Sequence, residues 1–256
     1  MGPDRVVVTQ ADIERGLGEL ELGNGDTVLV HSSLRSFGWV EGGPEAVIGA
    51  LLSVVGPRGC VVMPTLTLGA SESPAVFDVR ESPSRSGRIT EVFRRRPDAW
   101  RSHHPTGSAA AVGWGAEQLT RFHKDTPCDL LSPFGQVYLR DGCSLFLGAP
   151  WSTNTMFHVA EELAMPDYMR FAEFHDAVVV DEDGERRQVA FRRYNCYQSG
   201  VKRDLASMGP IFEAAGVVRH TMIGSSDCRL IRAKDNIEIS IRQIREHPEA
   251  IWSYDH

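Results

Sequence analysis

Asp26-Thr27-Val28-Leu29-Val30-His31 is a short β-branched-rich run that stops at polar Ser32-Ser33. Two further runs repeat the pattern: Cys60-Val61-Val62-Met63 stops at Pro64-Thr65, and Cys143-Ser144-Leu145-Phe146-Leu147 stops at Gly148. Their hydrophobicity is continuous rather than alternating, as in strands covered on both faces, and helical patterns lie between them. The chain therefore predicts an α/β fold around a central, mostly parallel sheet. In such sheets ligands bind beyond the carboxyl ends of the strands, so the polar residues at those ends are the first candidates for function.

Working outward, Thr9 followed by Asp12 marks a helix start, with Ile13, Leu17 and Leu20 on one face. Ala46, Val47, Ala50, Leu51 and Val54 form a helix stripe ended by Gly56-Pro57, and Ile89, Val92 and Phe93 form a shorter one. Arg94-Arg95-Arg96 reads as the solvated end of that second helix. Residues 66–87, rich in Ser, Pro and Gly, predict a long surface loop. Past residue 170, Phe174 to Val180, Asp183-Gly184 and Gln188 to Arg193 predict a β-hairpin. A short strand near Cys228 to Ile231 and a helix through Ile237, Ile241 and Ile244 close the chain. With no internal repeat or flexible linker, residues 1–256 read as one domain with an added C-terminal α+β portion.

The bulk composition narrows the function. At 256 residues, 42% hydrophobic and 24% charged, the chain has the make-up of a soluble globular protein with a sizeable core. A net charge of -7 argues against nonspecific nucleic-acid binding, which needs a basic patch, and suits a polycationic partner. Five cysteines without a C-x-x-C pair indicate free thiols rather than a disulfide framework or a zinc ribbon. Neither a signal core nor a myristoylation signal opens the sequence, and the apolar stretches fall short of the ~18 residues of a membrane span. A cytoplasmic protein without membrane attachment is expected.

Two segments carry candidate chemistry. His31-Ser32-Ser33 is followed by Gly38 and then by Gly42-Gly43-Pro44-Glu45 before a helix, where glycines admit close approach and free helix amides attract a phosphate. This reads either as a pyrophosphate cradle or as an ordinary glycine-rich βα turn, and it fits neither a dinucleotide nor a P-loop motif. In Asn154-Thr155-Met156-Phe157-His158-Val159-Ala160-Glu161-Glu162, a helix puts Thr155, His158 and one of the two glutamates on one face. A carboxylate one turn from an imidazole fixes its tautomer and leaves the other nitrogen to take a proton. The same residues also fit a surface histidine between solvated glutamates.

Other polar clusters yield less. Arg101-Ser102-His103-His104-Pro105 with Ser108 invites a metal reading, but neighbours in an extended segment point to opposite faces and no ligand spacing completes a site. His123, standing alone, reads as a surface or hydrogen-bonded histidine. The G-x-S-x-G elbow of a serine hydrolase is absent from the sequence.

Together these residues carry a resemblance. His31-Ser32-Ser33-Leu34 with Gly42-Gly43, Met63-Pro64-Thr65, Phe77-Asp78 with Pro83-Ser84, Arg101-Ser102-x-His104-Pro105-x-x-Ser108, His123 with Pro127, Ser132-Pro133-Phe134-Gly135, Asn154-Thr155-x-x-His158-x-x-Glu161, and Phe212 to Gly216 with Cys228-Arg229-Leu230 follow one another in order. In this the chain resembles the aminoglycoside 3-N-acetyltransferases, the antibiotic N-acetyltransferase family. The resemblance implies a three-layer α/β/α fold distinct from the GNAT acetyltransferases. It implies direct transfer from acetyl coenzyme A to the 3-amino group of an aminoglycoside, hence antibiotic resistance, without a metal. It places the orienting carboxylate at Glu161 and makes His158, Glu161 and Thr155 catalytic. His31, Ser32, Ser33, Leu34, Gly38, Val40, Gly42, Gly43, Ser102 and Ser108 become cofactor contacts. Thr65, Asp78, His123, Glu162 and Asp167 become acceptor contacts, with Glu72 a further acid, and a homodimer stays open. The alternatives are an acyltransferase of the same family acting on a nonantibiotic amine, a noncatalytic amine-binding module, and a hydrolase with a metal at His104, His123 and His158.

Overall fold

The computed structural model describes residues 7–67 and 76–254 of the chain. Strand β1 (Val7–Val8) leads into helix α1 (Gln10–Glu19), which starts where the sequence predicts: the Thr9 side chain accepts from the Asp12 amide, and the Asp12 carboxylate accepts from the Thr9 amide. Strand β2 (Thr27–Ser32) follows, then β3 (Trp39–Val40) beside β1, helix α2 (Gly43–Val55) and β4 (Cys60–Pro64). Next come β5 (Val76–Asp78), α3 (Arg88–Arg94), β6 (Trp100–Arg101), β7 (Ala109–Gly113), α4 (Ala116–Thr120) and α5 (Pro133–Leu139). Strand β8 (Cys143–Leu147) launches helix α6 (Thr155–Ala164). The remainder holds β9 (Phe171–Val180), β10 (Arg186–Tyr194), β11 (Val201–Arg203), α7 (Met208–Ala214), β12 (Val218–Ile223), β13 (Ser226–Arg232), α8 (Ala233–Glu246) and β14 (Trp252–Tyr254), the last paired with β11.

Seven strands form one sheet in the order β12-β13-β8-β2-β4-β7-β6. Only the centre is parallel, β8 with β2 and β2 with β4; β4–β7, β7–β6, β8–β13 and β13–β12 are antiparallel. The expected mostly parallel sheet is therefore corrected to a mixed one. The physical reason is that burial on both faces makes a run apolar whichever way it points. Ala109–Gly113, fully buried apart from its final glycine, carries no mark of its direction. Alternate residues of the central strands enter two separate cores. Val28, Val30, Val61 and Leu145 pack with α1, α2 and α3, whereas Leu29, Val62, Ala111 and Phe146 pack with residues of α4 to α8.

A second, three-stranded sheet has the order β10-β9-β5. Its hairpin confirms the reading of residues 174–193, and β5 shows that residues 66–87 are not loop throughout. Buried Arg101 ties this side of the molecule to the large sheet, donating to the carbonyls of Thr65, Val79 and Ser82. Arg94 is likewise buried, bonding Glu91 and the Arg80 carbonyl, so the arginine run is not a wholly solvated helix end.

At the other end of β8, Gly148 turns the chain at φ 62°, where a Cβ would collide with the Ser36 and Ser226 hydroxyls. Helix α6 then packs on α8 through a reciprocal amide pair, Asn154 Nδ2 to Asn236 Oδ1 at 3.0 Å and Asn236 Nδ2 to Asn154 Oδ1 at 3.2 Å. No helix among the described residues is long and apolar enough to cross a membrane.

Candidate active site

The carboxyl ends of β2 and β4 and the start of α6 border a cleft of about 430 Å³. Val30, His31 and Ser32 reach it from β2, Pro64 from β4, and Thr155 and His158 from α6, with Tyr194 of β10 closing one side. The strand-end rule thus leads to the cavity that holds the predicted histidine.

His158 and Glu161 lie one helical turn apart, with His158 Nδ1 2.5 Å from Glu161 Oε2. Glu161 is fully buried, while about a fifth of the His158 side chain is exposed. Tyr168 donates its hydroxyl to Glu161 Oε1 at 2.6 Å, and Arg203 donates Nη1 to Oε2 at 2.8 Å. Burial pushes the Glu161 carboxyl up, but the interaction with His158, the Arg203 charge and the Tyr168 hydroxyl outweigh it and hold the group below the usual carboxylate range. An ionised Glu161 requires a proton on Nδ1 of a neutral His158, which leaves the Nε2 lone pair free to act as a base.

Apart from Arg203, much of what packs around this pair is aromatic. His31 stacks on Phe146, 4.9 Å between centroids, and burial, with the nearby His158, lowers it to about 3. Its Nε2 lies 3.4 Å from Thr155 Oγ1, at the outer limit of a hydrogen bond. The Tyr194 ring sits 5.2 Å from the His158 ring and donates its hydroxyl to Glu162 Oε1 at 2.5 Å. Glu162 also accepts from the Cys128 amide at 2.8 Å and the Thr126 hydroxyl, so it braces Tyr194 instead of facing the cleft. Burial raises the Glu162 carboxyl despite these donors.

Several other predicted contacts form an internal network. Ser102 Oγ bonds His123 Nδ1 at 2.9 Å, and His123 Nε2 donates to the Thr126 carbonyl at 3.1 Å. Ser108 Oγ donates to the Thr65 carbonyl at 2.8 Å and lies 3.1 Å from Thr65 Oγ1. Ser102, Ser108, Thr65 and His123 are all fully buried, and none lines the cleft. Asp78 organises a turn by accepting from the Arg80 and Glu81 amides, and Asp167 is exposed. Glu72 lies outside the described residues.

The glycine turn behaves as drawn from sequence but stands apart from the cleft. Gly42 and Gly43, the cap and first residue of α2, have positive φ of 77° and 59°, whereas Gly38 is exposed and Val40 is buried beside β1. Of the block Ser32 to Gly43, Ser32 alone lines the cavity. The metal reading loses its geometry: His104 Nδ1 accepts from the Gly107 amide and Nε2 donates to the Arg192 carbonyl, so His104 and His123 have both ring nitrogens engaged.

Arg203, Tyr168 and Tyr194 are site residues that sequence reasoning missed. Tyr194 and Arg203 come from distant segments, and Tyr168 lies past the end of α6, where helical spacing no longer applies. Arg85 and Arg193 line the cleft as well, and among its described lining residues there is no Asp or Glu.

With this geometry in hand, the comparisons with known proteins are consistent. The model of the aminoglycoside 3-N-acetyltransferase family matches residues 29–245. Aminoglycoside N(3)-acetyltransferase VII of Streptomyces paromomycinus is 34% identical over 273 residues, spanning 93% of this chain and 92% of its own length. The crystal structure of aminoglycoside acetyltransferase AAC(3)-Xa superposes with a TM-score of 0.84 at 34% identity over 94% of each chain. A mutant of AAC(3)-IVa in complex with a gentamicin gives a TM-score of 0.82 at 27% identity over 98% of this chain and 93% of its own. The chain belongs to the aminoglycoside 3-N-acetyltransferase family.

Proposed function

We propose that this chain, acting as a single three-layer α/β/α domain of the non-GNAT kind, is a cytoplasmic enzyme that acetylates the 3-amino group of an aminoglycoside from acetyl coenzyme A and so confers resistance. The observation that carries the proposal is the 2.5 Å contact of His158 Nδ1 with buried Glu161, on a histidine that lines the cleft. The acceptor class rests on family membership and on the gentamicin complex of the AAC(3)-IVa mutant.

The residues suit the donor. Among the described residues, Ser32 Oγ is buried in the cleft wall without a hydrogen-bond partner, and Arg85 and Arg193 form no ion pair, so a polar pantetheine arm and anionic phosphates meet unsatisfied groups. Acetyl coenzyme A supplies an acetyl thioester, a carbonyl activated by a good leaving group. His158 Nε2 takes the proton that the amine loses as its nitrogen bonds to the acetyl carbon, and returns it to the sulfur as the C–S bond breaks. Glu161 keeps the ring in the required tautomer throughout and stabilises the imidazolium. Neutral His31 adds no positive charge beside it, and Thr155 Oγ1 lies within reach of the same space. General-base help of this kind contributes ~10²–10⁴-fold.

A second reading, the same chemistry on a nonantibiotic amine, is favoured by one observation: Arg85 and Arg193 line the cleft, without a carboxylate among its described residues to meet a polycation. Thiol release from acetyl coenzyme A, followed against aminoglycosides with and without a free 3-amino group and against simple amines, separates the two. Release confined to the free 3-amino compounds supports the first reading. In the same assay His158→Ala loses on the order of 10²-fold or more, and wild-type turnover by a folded variant would remove the base assignment.

A further inference from the structure

We propose that Arg203 is a positioning residue for the transfer, holding Glu161 in place and balancing its charge so that His158 meets the acceptor amine unprotonated. The inference rests on the reading of His158 as the base.

The geometry is specific. Arg203 Nη1 donates to the same Glu161 oxygen, Oε2, that His158 Nδ1 contacts, and lies 3.4 Å from Nδ1 itself. Its guanidinium carbon stands 5.7 Å from the centroid of the Tyr194 ring, which packs on His158. The Arg203 side chain is about a fifth exposed, against a carboxylate with no exposure at all. Three groups therefore share one anchoring point: an imidazole, a carboxylate and a guanidinium.

Charge arithmetic gives the function. A buried carboxylate alone beside an imidazole attracts a second proton onto the ring, and a doubly protonated ring cannot act as a base. With Arg203 in place, the carboxylate is already neutralised, and protonating His158 sets two cations side by side. Arg85 and Arg193 line the same cleft but bond neither member of the pair, and the nearer groups that face His158 supply no compensation. Tyr168 and Tyr194 are neutral phenols raised above their ordinary range by burial, His31 is neutral, and Glu162 lies behind the Tyr194 hydroxyl. The Cys128 thiol of the cleft is also raised by burial. Arg203 is thus the only fixed cation among the described residues in contact with the pair.

The test uses the full chain with acetyl coenzyme A and an amine that the wild type acetylates, reading kcat/KM against pH together with thermal melting. In Arg203→Met the acid limb moves up by about one pH unit or more, and the rate recovers to within a few-fold of wild type on the alkaline side. In Arg203→Lys, which keeps the charge, the limb stays within about 0.3 units of wild type. A folded Met variant with an unmoved limb, or a Lys variant whose limb moves by about a unit, overturns the proposal. If the Met variant does not fold, Arg203→Gln takes its place, with the same upward shift of the acid limb expected and an unmoved limb overturning the proposal. The His158 ring titration followed by NMR separates the two readings: wild-type turnover by His158→Ala removes the base assignment, whereas an unchanged ring titration in the Met variant removes the role of Arg203.

Discussion

At His158 one ring nitrogen is tied to a buried carboxylate and the ring opens on a cleft, whereas at His104 and His123, stacked 4.7 Å apart, all four ring nitrogens bond inside the protein. The first arrangement leaves a lone pair unused and places a negative charge behind it. The second uses imidazole as a neutral strut that joins the strand-end loops to the hairpin. Burial keeps both struts neutral, His104 lowered to about 4 and His123, beside which a protonated His104 would add repulsion, well below its ordinary value. The proposed base differs from the two struts in the bonding state of its second nitrogen and in its access to the cleft.

The contrast can be broken most sharply at the two adjacent glutamates. Glu161→Gln removes the charge behind His158 and offers an amide in its place, so kcat should fall by on the order of 10²-fold or more. Glu162→Gln, which alters only the brace under Tyr194, should stay within a few-fold, and steady-state kinetics on both variants checks the pair. Equal losses would erase the distinction drawn between them.

A smaller effect is expected at the struts. His123→Ala leaves the Ser102 hydroxyl and the Thr126 carbonyl without their partner, so urea unfolding should show a loss of about 1–3 kcal/mol, while the folded fraction keeps its turnover. The gentlest test is pH. Because these histidines bind protons more readily when unfolded, their contribution to stability is complete above the unfolded value near ~6.5. It is lost progressively as pH falls from there through about 4 for His104. Glu161, depressed in the fold, adds a loss in the same direction at lower pH. Denaturation midpoints measured from pH 8 to pH 4 should therefore decline, and a flat profile would contradict neutral struts.

Much of this was legible in the sequence, and the failures share a physical origin. Helix α6 and the pairing of His158 with one of two adjacent glutamates follow from 3.6-residue spacing, the choice of Glu161 from the family resemblance, and the β9–β10 hairpin from its turn residues. Strand direction was not legible, because the alanines of β7 are apolar either way. Ser102, Ser108, Thr65 and His123 were placed against ligands by the family resemblance, since their own sequence context marks no contact. Such residues satisfy a ligand or one another equally well, and here they satisfy one another. Arg203, 42 positions beyond Glu161, lies outside any local period, so only folding brings it to the pair.

The order in which the chain is made gives the Asn154–Asn236 pair a further consequence. Strand β8, which launches the helix bearing His158, receives its second neighbour from β13, and α6 receives its amide partner from α8, both made well after α6. A nascent chain that has already emerged through residue 200 holds the imidazole and its carboxylate but lacks the guanidinium, the flanking strand and the helix that fix them. A chain cut short before α8 should therefore lack the supports that hold the pair in register with the cleft.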